Sequence, residues 1–112
     1  MKLGVIGCGK MGSALLGGIL KAELCQASDV SVYDAYEAAV SSTTDQFGVV
    51  AADSNSAVVE ASDVILLCVK PQTFDEMLSE ISETSGKLLI SIAAGVKIDT
   101  IATKTANKHR VI

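Results

Sequence analysis

Four places in this chain put residue types together at spacings that chemistry can use. The first is Gly7-Cys8-Gly9-Lys10-Met11-Gly12, a G-x-G-x-x-G that follows a short aliphatic run, Leu3 to Ile6, and opens a stretch of helical spacing. In that strand–turn–helix setting each glycine has a separate task. Gly7 permits the tight turn, Gly9 removes the Cβ that would hold a pyrophosphate off the backbone, and Gly12 lets the helix lie close to the sheet. The free N–H groups and partial positive charge of the helix N-terminus then face the phosphates. The chemistry indicated is dinucleotide binding.

The second place is Tyr33-Asp34, at the end of the next aliphatic run and about twenty residues past the glycines, where a carboxylate accepts hydrogen bonds from ribose hydroxyls. Such a group repels a 2′-phosphate, and no Arg or Lys follows in the next several residues to attract one, so Asp34 favours NADH. An aspartate here can equally be a solvated strand end or a helix N-cap. The third and fourth places are Val69-Lys70-Pro71-Gln72 and Ser91-Ile92-Ala93-Ala94-Gly95, which close two further apolar runs. Open parallel sheets bind ligands in the crevice beyond the carboxyl ends of their strands. Lys70 is either a residue bordering that crevice or a surface lysine. The small side chains around Ala94 either leave room for a flat ring or pack tightly on a helix, and spacing does not decide between these.

The remaining reactive side chains carry less. Cys8, Cys25 and Cys68 are odd in number and lack C-x-x-C spacing, which suits a reducing compartment and argues against a disulfide frame or a zinc site. Cys8 lies at a helix N-terminus, where a thiolate is favoured, although a structural role as a small apolar residue is the simpler expectation. His109, the single histidine, sits between Lys108 and Arg110 with no carboxylate or nucleophile placed to orient it, so no catalytic role is expected of it.

The elements that must position these residues follow from periodicity. Aliphatic runs at Leu3 to Ile6, Val30 to Tyr33, Val49 to Ala51, Val64 to Val69 and Leu88 to Ile92, with a sixth beginning at His109, alternate with stretches of helical spacing. Met11, Ala14, Leu15, Gly18, Ile19 and Ala22 recur at intervals of three and four, which predicts one helix face packed on the sheet. A second helix is predicted over residues 36 to 46, ending near Gly48, and Ser54 or Asn55 can N-cap a short third. Pro71 fits a helix's first turn, with Phe74, Met77, Leu78 and Ile81 as the apolar stripe behind it and Gly86 as the stop. A weak helix from Ile98 to Ala106 carries three threonines. The pattern predicts an α/β fold: a Rossmann-type doubly wound parallel sheet in one domain spanning residues 1–112.

Composition sets the outer limits. The 112 residues are 49% hydrophobic with a mean hydropathy of +0.43, which excludes intrinsic disorder. Nine Lys and Arg against 13 Asp and Glu give a formal charge of −4 with no basic cluster, so neither nucleic acid nor an acidic membrane is an expected partner. The run from Val64 to Val69 is far short of the roughly 18 apolar residues that span a bilayer. The N-terminus shows no signal-peptide pattern, so a cytoplasmic location is expected.

Three strings together carry a more specific reading: Val5-Ile6-Gly7-Cys8-Gly9-Lys10-Met11-Gly12, Ser62 through Gln72 around Val69-Lys70-Pro71, and Ile90-Ser91-Ile92-Ala93-Ala94-Gly95-Val96. In order and spacing the chain resembles the N-terminal, cofactor-binding domain of pyrroline-5-carboxylate reductase. The resemblance implies hydride transfer from NADH or NADPH to the C=N of 1-pyrroline-5-carboxylate, giving L-proline. It implies that Ile6, Gly7, Cys8, Gly9, Lys10 and Met11 hold the pyrophosphate and that Asn55 contacts the adenosine end. Val69, Lys70 and Pro71 would line the path to the nicotinamide, with Ala94 beside it. No residue of the chain is assigned to catalysis, Lys70 being the candidate by its place on that path. The family commonly uses NADPH, with small polar residues where this chain has Asp34-Ala35-Tyr36. Its members continue into a helical domain that forms the homo-oligomer and supplies the substrate pocket, so these residues alone are expected to bind cofactor and turn over little. The other readings are a free-standing dinucleotide-sensing module, or the cofactor domain of a deazaflavin-dependent NADP reductase or a β-hydroxyacid dehydrogenase.

Overall fold

Short aliphatic runs alternating with runs of period 3.6 fold into a parallel sheet with its crossover helices on both sides, as the pattern predicts. The computed structural model describes residues 1–92, 96–105 and 108–112. In chain order the elements are β1 (Leu3–Ile6), α1 (Lys10–Lys21), β2 (Val30–Tyr33), α2 (Glu37–Phe47), β3 (Val50–Ala51), α3 (Asn55–Ala61), β4 (Val64–Leu67), α4 (Phe74–Ile81), β5 (Leu88–Ser91), α5 (Ile98–Lys104) and β6 (Arg110–Val111). The strands pair in the order β3-β2-β1-β4-β5-β6, and every pairing is parallel. Strand order reverses between β1 and β4, which creates the switch point that doubly wound sheets use for ligands.

Side-chain alternation along the strands sorts the core into two layers. Leu3, Val5, Val30, Val32 and Leu66 pack with Leu16 of α1 and Val40 and Phe47 of α2, while Ile6, Ile65, Leu67 and Leu89 pack with α3, α4 and Ile101 of α5. The predicted α4 stripe is realised in full, since Phe74, Met77, Leu78 and Ile81 are all buried. Pro71 opens a single 3-10 turn, Pro71–Thr73, which runs into α4 at Phe74. Its fixed φ and missing N–H suit that entry turn as well as they suit a helix start.

The predicted face of α1 is overturned. Met11 is 63% exposed and Leu15 37% exposed, whereas Gly12 and Leu16 are buried, with Ile19 and Leu20 partly so. Both stripes have helical spacing, and the choice between them is made by backbone contact. A Cβ on Gly12 would lie 2.3 Å from the carbonyl oxygen of Gly7, so Gly12 is the residue pressed against the turn. Positions four, seven and eight further along must then face the sheet with it.

His109 closes the far edge. Its ring is buried, and Nδ1 accepts the Lys87 N–H at 3.1 Å. The remaining ring proton therefore sits on Nε2, which lies 3.2 Å from Thr84 Oγ1 and 3.4 Å from the Ile81 carbonyl. Burial lowers its pKa from 6.5, opposed by the Ile81 hydrogen bond and assisted by the charges of Lys87 and Lys108. Among the described residues no helix is long and apolar enough to cross a membrane.

Two measurements check this packing. Leu16→Ala should lower unfolding stability by about 2–5 kcal/mol as a buried truncation, while Leu15→Ala should stay within about 1 kcal/mol; urea titrations separate the two phases of α1. Because the folded pKa of His109 lies below its unfolded value, the unfolded chain binds more protons on the acid side of 6.5. Its contribution is fully present above that pH and declines as pH falls through the folded pKa. The melting temperature should therefore drop more between about pH 7 and pH 5, a range that brackets the value of a free histidine, in the parent than in His109→Gln.

Candidate functional site

The carboxyl ends of β1, β2 and β4 converge at the switch point on a cavity of about 370 Å³. The glycine turn contributes Ile6, Gly7 and Gly9; the end of β2 contributes Tyr33, Asp34 and Ala35; α3 contributes Asn55. The segment after β4 supplies Cys68, Val69 and Lys70, and the remaining side is formed by Thr73 with Glu76, Met77 and Glu80 of α4.

The three glycines of the motif owe their identity to three different surroundings. Gly7 has a φ of 103°, and a Cβ there would stand 2.7 Å from the Cys68 carbonyl. Its N–H donates to the Tyr33 carbonyl at 2.9 Å, which ties the turn to β2. Gly12 meets the turn's own backbone, as described above. Gly9 is different, since a Cβ there would meet no protein atom within 4 Å. Nothing among the described residues excludes a side chain at Gly9, and the open space before it is what a close-approaching phosphate requires. Gly9 also N-caps α1 without any side-chain cap, and no acidic residue occupies the helix's first turn. The first amides of α1 are thus left for an anion, with Lys10 exposed beside them.

Asp34 does something neither sequence reading anticipates. Its Oδ2 accepts the Cys8 N–H at 2.8 Å and its Oδ1 accepts the Tyr36 N–H at 2.8 Å, so one carboxylate clamps the glycine turn to the start of α2. Each oxygen keeps a second acceptor site, and the group still lines the cavity.

Cys8 takes the structural role that is its simpler expectation, not that of a thiolate. Cys8 is buried beneath the loop rather than turned to the helix amides. Burial pushes its pKa up to about 11, a hydrogen bond with Thr43 pulls it part way back, and the charge of Asp34 raises it again. Cys68 is likewise pushed up to about 11 by burial, with Cys8 adding to the effect. Both thiols stay protonated.

At the opposite wall the two candidate caps of α3 divide their work. Ser54 Oγ accepts the Ala57 N–H at 3.0 Å and caps the helix, which frees the Asn55 side chain for the cavity. Asn55 Nδ2 donates to Glu80 Oε2 at 2.7 Å. Its Oδ1 is buried and has no partner among the described residues, a condition that costs about 1–3 kcal/mol unless a donor reaches it.

The remaining expected site residues divide. Lys70 is exposed at the rim, and Pro71 lines a neighbouring cavity with Phe74, Val96 and Lys97. Gly12 is buried under the turn, and Met11 is exposed at the helix start. Ala94 lies outside the described residues. The sequence reading passed over Glu76 and Glu80, whose only signal is their four-residue spacing alongside the α4 stripe, a spacing shared by any solvated helix face. Among the described residues no group of three or more His, Cys, Asp or Glu is placed to hold a metal ion.

Residues 2–95 match the family described as NADP oxidoreductase, coenzyme F420-dependent. The chain belongs to this family. It is 39% identical to a pyrroline-5-carboxylate reductase of Methanosarcina acetivorans over 99% of its own length and 42% of the relative's. The protein of that name from Escherichia coli is 38% identical with the same coverage. Among solved structures, the pyrroline carboxylate reductase of Plasmodium falciparum with NADP bound superposes with a TM-score of 0.85 at 28% identity, over 99% of this chain and 40% of that one. The chain therefore spans about two-fifths of the length of the curated relatives it matches.

In this member of the family, stability should separate two glycines of the turn that look alike in sequence. Gly12→Ala forces a Cβ onto the Gly7 carbonyl and should lower stability by about 1–3 kcal/mol, as overpacking does. Gly9→Ala should change it by no more than about 0.5 kcal/mol. Thermal melts of the two variants read the difference directly.

Proposed function

We propose that this chain is the cofactor-binding part of a pyrroline-5-carboxylate reductase, which transfers hydride from NADH or NADPH to the C=N of 1-pyrroline-5-carboxylate and yields L-proline. The observation that carries the reading is the 39% identity to a relative of that name across 99% of the chain. The deazaflavin-dependent reading shares the glycine loop and the family description, but the relatives matched along the whole chain favour the proline-forming reaction.

The residues present fit a dinucleotide. The open space before Gly9, the uncapped N-terminus of α1 and the unpartnered Asn55 Oδ1 are three unmet requirements, and phosphate and adenosine supply what each lacks. Ile6 through Met11 then hold the pyrophosphate, Asn55 the adenosine end, and Val69 and Lys70 border the path to the nicotinamide, with Pro71 and Ala94 assigned there by resemblance. A bound nicotinamide supplies the hydride. The chain's contribution is to fix the donor's position and to keep charge complementary along its length. We assign the substrate pocket and the homo-oligomer contacts to the part of the relatives that these 112 residues do not match. The three free cysteines fit a cytoplasmic setting.

Calorimetric titration of the chain should show saturable binding of a nicotinamide dinucleotide. Gly9→Ala should weaken that binding by about tenfold or more, the loss of roughly 1.4 kcal/mol. A fusion of residues 1–112 to the unmatched remainder of the Methanosarcina relative should oxidise reduced cofactor only when 1-pyrroline-5-carboxylate is added. A fusion that binds cofactor and leaves the imine untouched would overturn the reaction assigned.

A further inference from the structure

Three of the side chains that line the cavity are carboxylates. Asp34 closes one side, and Glu76 and Glu80 stand on the other. Lys70 is the one cation among the residues that line the cavity, and it belongs to the β4 end rather than to the wall that carries the glutamates. The turn into α2 adds Glu37 in its first helical turn and no base. Between these walls lies the buried Asn55 Oδ1, an acceptor with no donor. Its orientation is fixed because Glu80 takes the amide's N–H at 2.7 Å, leaving the oxygen as the free end.

An orphaned buried acceptor calls for a ligand that donates. A set of three carboxylates penalises any further anion in the same space, because like charges there are only partly screened. An adenosine with free ribose hydroxyls and its amino group offers donors and carries no charge. The same adenosine with a 2′-phosphate replaces one donor by an acceptor group carrying close to two negative charges.

We propose that this cavity selects NADH over NADPH, and that Glu76 and Glu80 of α4 are specificity-determining residues, Glu80 by orienting Asn55 and Glu76 by its charge. The selection rests on the dinucleotide reading above and refines it. Asp34 contributes its charge from the opposite wall, but its two backbone hydrogen bonds make it a structural clamp as well, so substitution there does not isolate specificity. Glu76 and Glu80 are exposed and lie on the solvent side of the α4 core stripe, so they can be changed without emptying the core.

The test is a calorimetric titration of the parent chain, Glu76→Gln and Glu80→Gln with NADH and with NADPH, at low and at high salt. The parent should bind NADH about tenfold tighter than NADPH at low salt, a margin that narrows as salt screens the carboxylates. Glu76→Gln should tighten NADPH by roughly three- to fivefold, the size expected for one exposed charge, and leave NADH within twofold. Glu80→Gln should also tighten NADPH, and in addition weaken NADH by loosening Asn55. Equal or tighter binding of NADPH by the parent overturns the selection while leaving the dinucleotide reading intact. A parent preference that neither glutamate variant alters overturns the roles given to α4. Failure to bind either cofactor overturns the dinucleotide reading itself.

Discussion

The contact between Gly12 and the Gly7 carbonyl governs the rest of this molecule. A helix can begin so close to the end of a strand only if the residue facing the turn has no side chain. At 2.3 Å from the carbonyl oxygen, even a methyl group displaces one element or the other. That closeness sets the rotation of α1 about its axis, buries Leu16 instead of Leu15, and aims the helix's uncapped amides at the space before Gly9. One backbone approach thus fixes both the packing of the first layer and the geometry of the anion site.

The site is held from two sides by side chains that do double duty. Asp34 spans from the glycine turn to the start of α2 through two backbone amides, so the position of the loop depends on a carboxylate contributed by a neighbouring strand. Across the cavity, Glu80 holds the Asn55 amide and leaves its oxygen unsatisfied. Native proteins satisfy nearly all their buried polar groups, and those left over concentrate where a ligand completes the set. The thiols follow the opposite logic: burial of Cys8 and Cys68 holds them protonated, so they serve as packing under the loop and add no charge beside the phosphates.

Charge marks this cavity. The description of the family names NADP, and a solved relative carries it, while the wall formed by α4 presents two glutamates to the cavity. A shared fold supplies the pyrophosphate cradle, and the few side chains at its adenosine end are free to tune which cofactor enters.

Much of this was legible in the sequence. Short aliphatic runs, helical spacing and the glycine pattern determined the parallel sheet, the place of the glycine loop and the stripe of α4, because those patterns reflect local geometry that the chain carries with it. Local pattern was insufficient wherever two answers shared one period. The stripes 11-15-18-22 and 12-16-19-20 both suit a helix, and Asp34 suits a ribose acceptor, a cap or a clamp. Ser54 and Asn55 both suit the cap of α3, and Glu76 and Glu80 resemble any solvated pair. Contacts between residues distant in the chain resolved each case: Gly7 against Gly12, Cys8 against Asp34, Asn55 against Glu80. The sequence by itself determined which elements form and what chemistry they can hold. Only the tertiary structure decided which face is buried, which acceptor is left without a donor and which charges share one cavity, because those outcomes depend on distances across the sheet that no local period records.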